Sequence, residues 1–282
     1  MSRWLSAGLV GVLAVGAGFL AGHSSGDPTS LVFVSVGQGD GAIFHTAGHT
    51  ILIDDGPVTP TTDAGEREMI PELRRLGIGS VDAILLSHPD SDHVGGTGSL
   101  LRAFPNAKVM MSAEFESNPE MEKHFGQWHY DPAQVVWLPE TCQFQMGSFQ
   151  VHIDCPPLPV HGDTNSGSMF VHLADGGATA TFSGDAPKDV EKFEETQFDW
   201  SAELIKLGHH GSRTASDPSW LEKVHPLIAI VSVGRNNRYG HPNHEVLDLL
   251  QADHIQTLRT DEDGTLEFRE EGGKFVLENR AW

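Results

Sequence analysis

The stretch that decides the fold is ILLSHPDSDHVGG, residues Ile84–Gly96. It begins within an apolar run, residues 83–86, that predicts a buried strand. Four residues of metal-ligand type follow this strand: His88, Asp90, Asp92 and His93. The pair Gly95–Gly96 then predicts a tight turn into a helix, because glycine lacks a Cβ.

Four ligand-type residues within six positions are more than one metal ion takes from so short a loop. In an extended loop, alternation would send His88, Asp90 and Asp92 to one side and His93 to the other. Two adjacent metal ions sharing the loop would use all four side chains. The alternative is a solvated polar loop, but the position of the string directly after a strand favours a metal site.

The string HPDSDH resembles the HxHxDH signature of the metallo-β-lactamase superfamily. Asp90 stands where most members have histidine, which is typical of the hydrolase-like domain of the ComEC competence proteins. The resemblance implies an α/β fold, the four-layer αββα sandwich, with the site at the shared edge of two sheets.

The chain has 282 residues, 16 histidines and a net charge of −21. This length suits one α/β domain, which we assign to residues 31–282. An acidic surface repels nucleic acid and anionic substrates at long range, so phosphate chemistry would require a locally positive site. Arg213, Arg235 and Arg238 are the candidate phosphate contacts beside the last two polar loops.

Residues 1–30 are predicted to be a signal peptide or an N-terminal membrane anchor, followed by a polar linker. Residues 4–22 are uncharged and rich in apolar and small side chains, and Arg3 precedes them. A single positive charge before such a segment predicts that the N-terminus stays inside and that the rest crosses the membrane. We therefore expect an extracytoplasmic catalytic domain, either secreted or anchored.

The string VGQGD, Val36–Asp40, resembles the opening motif of the ComEC branch, with Ser35 in place of its first aspartate. A glycine-rich hairpin explains the same glycines. Asp54 ends a predicted strand and matches the first-motif aspartate of the superfamily. The resemblance implies that Asp54 orients the metal-binding loop by hydrogen bonds and does not bind metal.

Later strands also end in His or Asp. The string SGD places Asp185 after one strand, and this resembles the motif whose aspartate bridges two metals. GHHGS, with His209 and His210, and YGHP, with His241, resemble ComEC motifs. His241 matches the last metal ligand, whereas His209 and His210 are both candidates for a position near the phosphate or the metals.

The third motif of the superfamily has no clear counterpart. The ComEC branch has an N-x-x-S pattern here, matched by Asn165 and Ser168, and His161 is the local histidine candidate. Cys142 and Cys155 flank a predicted hairpin that turns at Gly147. They are offset by about two positions, so the sequence leaves open whether they form a disulfide.

We assign one metal to His88 and Asp90, completed by water or His161, and the other to Asp92, His93 and His241, with Asp185 as the bridge. Catalytic roles fall to Asp92, Asp54 and His210. The cofactors are two divalent ions, Zn²⁺ or Mn²⁺. The leading hypothesis is an extracytoplasmic phosphodiesterase or nuclease acting on DNA or a nucleotide. The alternatives are a hydrolase of lactones, β-lactams or esters, and a non-catalytic anchored DNA-uptake module.

Overall fold

The computed structural model describes residues 28–158 and 163–281. Residues 1–27 of the predicted N-terminal segment and linker, and His161, lie outside the described residues. Among the residues that are described, no helix is both long enough and apolar enough to cross a membrane.

In the described residues, seventeen strands form three sheets. The strands are β1 (Ser30–Phe33), β2 (Gly41–Thr46), β3 (His49–Asp55), β4 (Val58–Thr59), β5 (Thr62–Asp63), β6 (Ala83–Leu85), β7 (Lys108–Ser112), β8 (Val135–Leu138), β9 (Thr141–Met146), β10 (Phe149–Asp154), β11 (Phe170–Asp175), β12 (Ala178–Phe182), β13 (Leu204–Lys206), β14 (Ile228–Val231), β15 (Gln256–Arg259), β16 (Thr265–Glu270) and β17 (Phe275–Ala281).

The helices connect and cover these strands. They are α1 (Ile70–Arg75), α2 (Ser91–Val94), α3 (Thr97–Ala103), α4 (Pro119–Phe125), α5 (Lys188–Glu194), α6 (Pro218–Val224), α7 (His244–Ala252) and α8 (Thr260–Asp263). A π-helical turn, Gly65–Met69, precedes α1, and short 3₁₀ turns include Thr164–Gly167 and Gly208–Gly211.

The two large sheets pack face to face. The first has the order β17-β16-β1-β2-β3-β6-β7-β8 and the second the order β15-β14-β13-β12-β11-β10-β9. In the second sheet, Leu204 joins the core that it shares with the first sheet, whereas its neighbour Ile205 packs with apolar residues of α5, α6 and α7. Apolar residues of α1 and α3 join the core of the first sheet. The predicted αββα sandwich is therefore confirmed.

The parallel strands bring the polar loops together. β3 and β6 are parallel in the first sheet, and β12, β13 and β14 are parallel in the second. The carboxyl ends of parallel strands lie at one edge, where α/β folds build their sites. The loops after these strands carry the aspartates and histidines that the sequence singled out.

The predicted extended conformation of the His/Asp loop is wrong. The chain enters the short helix α2 directly after Asp90, so His93 lies one helical turn along and folds back toward the strand. The rings of His88 and His93 consequently have centroids 4.2 Å apart and do not face opposite ways.

The glycine pair after α2 allows close contact between segments, and both residues keep right-handed helical backbone angles. A Cβ on Gly96 would lie 2.5 Å from the carbonyl oxygen of Asp55 and 2.7 Å from the amide nitrogen of Gly65. The pair therefore lets the loop pack against the end of β3.

Cys142 and Cys155 are both buried free thiols. Cys142 is opposite Ile153 in the β9–β10 hairpin, so Cys155 lies two residues beyond the paired position. The offset expected from the sequence is present, and the thiols remain unlinked.

Substituting Gly96 by alanine should destabilise the fold by about 1–3 kcal/mol or more, because the added Cβ would collide with backbone that cannot move independently. Gly79→Ala is the matched control, since a Cβ there meets no atom within 4 Å. Urea unfolding monitored by tryptophan fluorescence measures both variants. Equal unfolding midpoints for the two would show that the close contact at Gly96 is unimportant.

Candidate metal centre

Both large sheets contribute to one buried group of ionisable side chains. The first sheet and its loops supply Asp40, Asp54, His88, Asp92 and His93, and the second supplies Asp185, Lys206 and His210. All except Asp92 are buried. The candidate metal centre therefore exists only when the two sheets are packed together.

Asp54 fixes the orientation of His93. One carboxylate oxygen accepts a hydrogen bond from the backbone N–H of Ser87 at 2.8 Å. The other accepts from the Ser87 hydroxyl and from Nδ1 of His93, both at 2.8 Å. With Nδ1 donating to Asp54, Nε2 is the nitrogen of His93 that is directed to a metal, the usual effect of a carboxylate behind a metal-binding histidine.

His210 and His88 follow the same pattern. Nδ1 of His210 lies 2.9 Å from the carbonyl oxygen of Ser232, an acceptor, so Nε2 is the ring nitrogen that a metal would bind in exchange for its proton. Nδ1 of His88 lies 3.0 Å from the Ser87 hydroxyl. The Nε2 atoms of His88 and His93 are buried without a hydrogen-bond partner, as is Oδ1 of Asp185. Buried polar atoms without partners are costly, and a cation bound among them would satisfy all three.

Among the described residues, four groups of side chains have the spacing required to hold a metal, with ligand atoms within 4.8 Å of one another. Three of them are His88, His93 and Asp185; Asp92, His93 and His210; and Asp40, Asp185 and His210. Because the groups share members, and Asp185 is common to two of them, the arrangement fits more than one cation. A fourth group, Asp40, Asp54 and His93, includes the Asp54 carboxylate that His93 Nδ1 already contacts.

The electrostatics of the centre favour positive charge. Burial by itself would raise the pKa of Asp185, yet His93 and His210 hold that pKa well below its ordinary value. Burial would lower the pKa of His210, but Asp185, Asp40 and Asp92 raise it to about 10. The pKa of His93 is likewise raised well above its usual value, against the effect of burial, by Asp185, Asp54 and Asp40. A bound cation would take advantage of the same negative field.

Asp40 and Lys206 were not among the residues predicted for the site. Lys206, at the end of β13, is 3% exposed and forms an ion pair with Oδ2 of Asp40. Burial raises the pKa of Asp40, but Lys206 and then His210 and His93 outweigh it and lower that pKa. The available signals were the aspartate that ends VGQGD and a lysine inside the apolar run before GHHGS.

Glycine at position 39 allows Asp40 to reach the centre. The backbone of Gly39 has φ +148°, and a Cβ there would lie 2.3 Å from the carbonyl oxygen of Asp92. The N–H of Asp40 donates to that same carbonyl at 3.1 Å. The VGQGD loop therefore packs directly on the His/Asp loop, a role beyond that of a hairpin turn. Ser35, which replaces the first aspartate of the motif, lies outside the centre and contacts Thr260 and Thr265.

The GHHG turn divides its two histidines between the interior and the surface. His209 and His210 both have left-handed backbone angles, with φ of 50° and 54°. Such conformations cost of order 1–3 kcal/mol each for a non-glycine residue and recur at functional sites. His210 is buried, whereas the His209 side chain is 29% exposed, with Nε2 3.7 Å from Oδ2 of Asp185.

Asp90 and His241 lie at the rim of the centre. Asp90 is 3.7 Å from Nε2 of His88 and accepts a hydrogen bond from the Thr164 hydroxyl at 2.6 Å. His241 lies beside His209, with ring centroids 5.9 Å apart. His210 occupies the position next to Asp92 and His93 that we predicted for His241. Metal binding by Asp90 and His241 therefore stays a prediction.

The N-x-x-S residues support the site from behind. The hydroxyl of Ser168 is fully buried and accepts a hydrogen bond from the backbone N–H of Asp185 at 3.1 Å. The Asn165 side-chain amide lies 3.5 Å from Nδ1 of His209. The Asn243 side chain accepts a hydrogen bond from the backbone N–H of Glu245 and caps the N-terminus of α7.

A cleft of about 620 Å³ opens beside Asp90 and Asp92. It runs between the β4–β5 hairpin and α4, and its lining includes Pro60, Glu120, Lys123 and Gln127. Lys123 forms an ion pair with Glu120 at 2.6 Å, so the cleft carries no excess of positive charge. The cleft therefore borders the centre at Asp92.

Residues 34–235 match the family model of the metallo-β-lactamase superfamily. The chain belongs to this superfamily. It is 30% identical to ComE operon protein 3 of Bacillus subtilis (strain 168) over 84% of this chain and 32% of that protein. It is also 30% identical to competence protein ComA of Neisseria gonorrhoeae, over 89% of this chain and 34% of that protein. The chain thus spans about a third of the length of these curated relatives.

Solved structures agree with the fold. The metallo-beta-lactamase fold protein YhfI from Bacillus subtilis superposes with a TM-score of 0.59 over 86% of this chain and 100% of that one, at 12% identity. Identity this low supports the fold alone. The predicted superfamily and the relation to competence proteins are confirmed.

Asp54→Asn should weaken metal binding about 10- to 100-fold, because His93 would lose the carboxylate that orients it and sets its tautomer. Isothermal titration of the metal-free protein with Mn²⁺ or Zn²⁺ measures the change. Asp175→Asn is the control, since Asp175 accepts from Ser148 at the opposite edge of the second sheet. Affinity within threefold of the parent would rule out the orienting role of Asp54.

Lys206→Met should destabilise the metal-free protein by about 3–5 kcal/mol, because it leaves a buried carboxylate on Asp40 without its cation. The double variant Asp40→Asn, Lys206→Met should recover part of this loss, since neither charge then remains buried. Urea unfolding of the parent, both single variants and the double variant measures the coupling. Purely additive effects would contradict a direct ion pair.

Proposed function

We propose that this domain is a metal-dependent phosphodiesterase that acts on DNA or a nucleotide. The observation that carries the proposal is the set of His and Asp groups with metal-ligand spacing, two of which share Asp185, together with the buried Nε2 atoms of His88 and His93 that have no hydrogen-bond partner. Such an intact ligand set argues against a purely structural anchored module, because unpaired buried polar atoms would be a net cost without a cation.

Two divalent ions suit the residues available. His88, His93 and Asp185 would hold one ion, and Asp40, Asp185 and His210 the other, with Asp90 and Asp92 at the rim. Divalent ions bound there would lower the pKa of water to about 7 and stabilise developing negative charge. The chain's own residues do the positioning: Asp54 orients His93, and Lys206 keeps Asp40 ionised against the cost of burial.

Asp92 is the residue best placed to contact both the centre and the substrate. Its carboxylate lines the cleft and lies 3.3 Å from Nε2 of His210. Burial raises the pKa of Asp92, but a hydrogen bond from His210 and the charge of His93 lower it overall. Asp92 therefore stays an anionic acceptor at the point where the cleft reaches the buried residues.

The ligand chemistry favours phosphodiesters over neutral substrates. Asp40, Asp90, Asp92 and Asp185 make the site rich in carboxylate oxygen, which suits Mn²⁺ or Mg²⁺ better than a site built from imidazole. The relation to competence proteins supports a substrate that is DNA or derived from it. Hydrolysis of lactones, β-lactams or esters remains the competing function, and a substrate panel separates the two.

We also propose that the domain works outside the cytoplasm. The support is the uncharged apolar segment at residues 4–22 behind Arg3, which has the character of a signal peptide or membrane anchor. The relation to DNA-uptake proteins agrees with this location.

The decisive experiment measures hydrolysis by the Mn²⁺-loaded protein of a deoxydinucleotide, a cyclic nucleotide and a lactone. Asp185→Asn should lower diester hydrolysis by about 100-fold or more, because an amide offers one neutral acceptor where a carboxylate shared by two ions is needed. Unfolding in urea serves as the control for folding. Activity within threefold of the parent would exclude the bridging role, and lactone turnover without diester cleavage would favour the competing function.

A further inference from the structure

Tyr239 is held out of the protein beside the metal centre. Its side chain is 58% exposed, and it is one of only two tyrosines in the chain. Single exposed aromatic residues are common on protein surfaces, so exposure alone carries no function. The surroundings of Tyr239 make the difference.

The loop that carries Tyr239 is fixed by one side chain. The Asn237 amide donates to the carbonyl oxygens of Gly234 at 3.2 Å and His241 at 2.7 Å. Its oxygen accepts from the backbone N–H groups of Tyr239 at 3.2 Å and His241 at 3.0 Å. The exposed ring is therefore presented by an ordered turn, and such preorganisation reduces the entropy lost when a ligand binds.

A series of aromatic rings leads from Tyr239 to the metal centre. The rings of Tyr239 and His241 are nearly parallel, at 12°, with centroids 6.0 Å apart. His241 is in turn 5.9 Å from His209, and Nε2 of His209 lies 3.7 Å from Oδ2 of Asp185. Tyr239 is thus about two ring spacings from the edge of the centre, near enough to contact a base close to a reacting phosphate.

Arg238 completes the surface. Its guanidinium carbon lies 5.4 Å from the centroid of the Tyr239 ring, at cation–π distance. Arginine is planar and stacks on aromatic faces, and it also pairs with phosphate. Arg238 and Tyr239 therefore offer a planar, cationic surface of the kind on which proteins stack the bases of single-stranded nucleic acids.

Base stacking also answers a difficulty raised by the net charge. A chain at −21 repels polyanions at long range, and the cleft beside Asp90 has no excess of cations. Stacking gives affinity from the faces of the bases, is tolerant of sequence and does not require a track of lysines and arginines.

We propose that Tyr239, with Arg238 over its ring, is a stacking platform for a nucleobase next to the phosphate that reacts at the metal centre. This inference rests on the proposed phosphodiesterase function and specifies its ligand as an unpaired nucleotide. It also explains how an acidic domain can select nucleotides over other phosphodiesters.

Hydrolysis of matched substrates by the Mn²⁺-loaded full chain tests the platform. The substrates are a deoxydinucleotide and two analogues that lack either the 5′ or the 3′ base. We expect the parent to favour the complete dinucleotide over one analogue by about 5- to 150-fold in kcat/KM, mainly through KM. Tyr239→Ala should abolish this preference, and Tyr239→Phe should keep it. Phe193→Ala, which removes another exposed aromatic ring on α5, should have no effect.

Equilibrium binding separates failure of the platform from failure of the proposed reaction. A deoxynucleoside monophosphate should bind the Mn²⁺-loaded parent at least fivefold more tightly than deoxyribose 5-phosphate, and Tyr239→Ala should lose that difference. If the difference is present but no diester is cleaved, the proposed hydrolysis is wrong and the platform stands. If both ligands bind the parent equally, or Tyr239→Ala keeps the preference with unchanged Mn²⁺ affinity, the platform is overturned.

Discussion

The burial of several carboxylates at one point between two sheets is the constraint on which this structure depends. Asp40, Asp54 and Asp185 are each less than 5% exposed, and a buried charge without a partner would strongly destabilise the fold because it loses its hydration. His93 and His210 lie among them, and Lys206 forms an ion pair with Asp40. The arrangement is stable only if hydrogen bonds and cations satisfy every oxygen, which makes it well suited to bind metal.

That constraint also explains the packing around the centre. The loops that carry these residues lie very close to one another. A Cβ added to Gly39 would lie 2.3 Å from a backbone atom of the neighbouring loop, and one added to Gly96 would lie 2.5 Å from a backbone atom. The left-handed turn at His209–His210 also serves to position ligands. It directs the imidazole of His210 into the centre and leaves that of His209 at the rim. Local backbone cost is therefore concentrated where the ligands are positioned.

The fold alone does not define the reaction, because one superfold carries many activities. The surroundings of the candidate centre in this member are several carboxylates, a cleft lined by acidic residues and an exposed Tyr239–Arg238 pair on an ordered loop. Its similarity to part of two competence proteins supports the proposed nucleic-acid substrate. A surface that binds such a polyanion without a basic groove needs another source of affinity, and the proposed base stacking would supply it.

The sequence by itself determined the strands, the loops that follow them and the family. Each of these depends on local order: apolar runs set the strands, and HPDSDH, SGD and GHHGS follow them directly along the chain. Because parallel strands end at the same edge, the sequence also indicated that these loops would converge.

Only the tertiary structure decided which of those side chains meet. The ion pair of Asp40 with Lys206 joins residues 166 positions apart on different sheets, and no local pattern encodes such a contact. The position of His210 beside Asp92 follows from the left-handed turn, and that of His93 beside His88 from a helical turn that alternation did not predict. Cys142 and Cys155 form no disulfide, and the strand register places Cys142 opposite Ile153, two residues before Cys155. The local sequence determines which segments form strands and helices. The distances between the candidate ligands depend on how the two sheets pack, and that packing depends on all the residues of the core together.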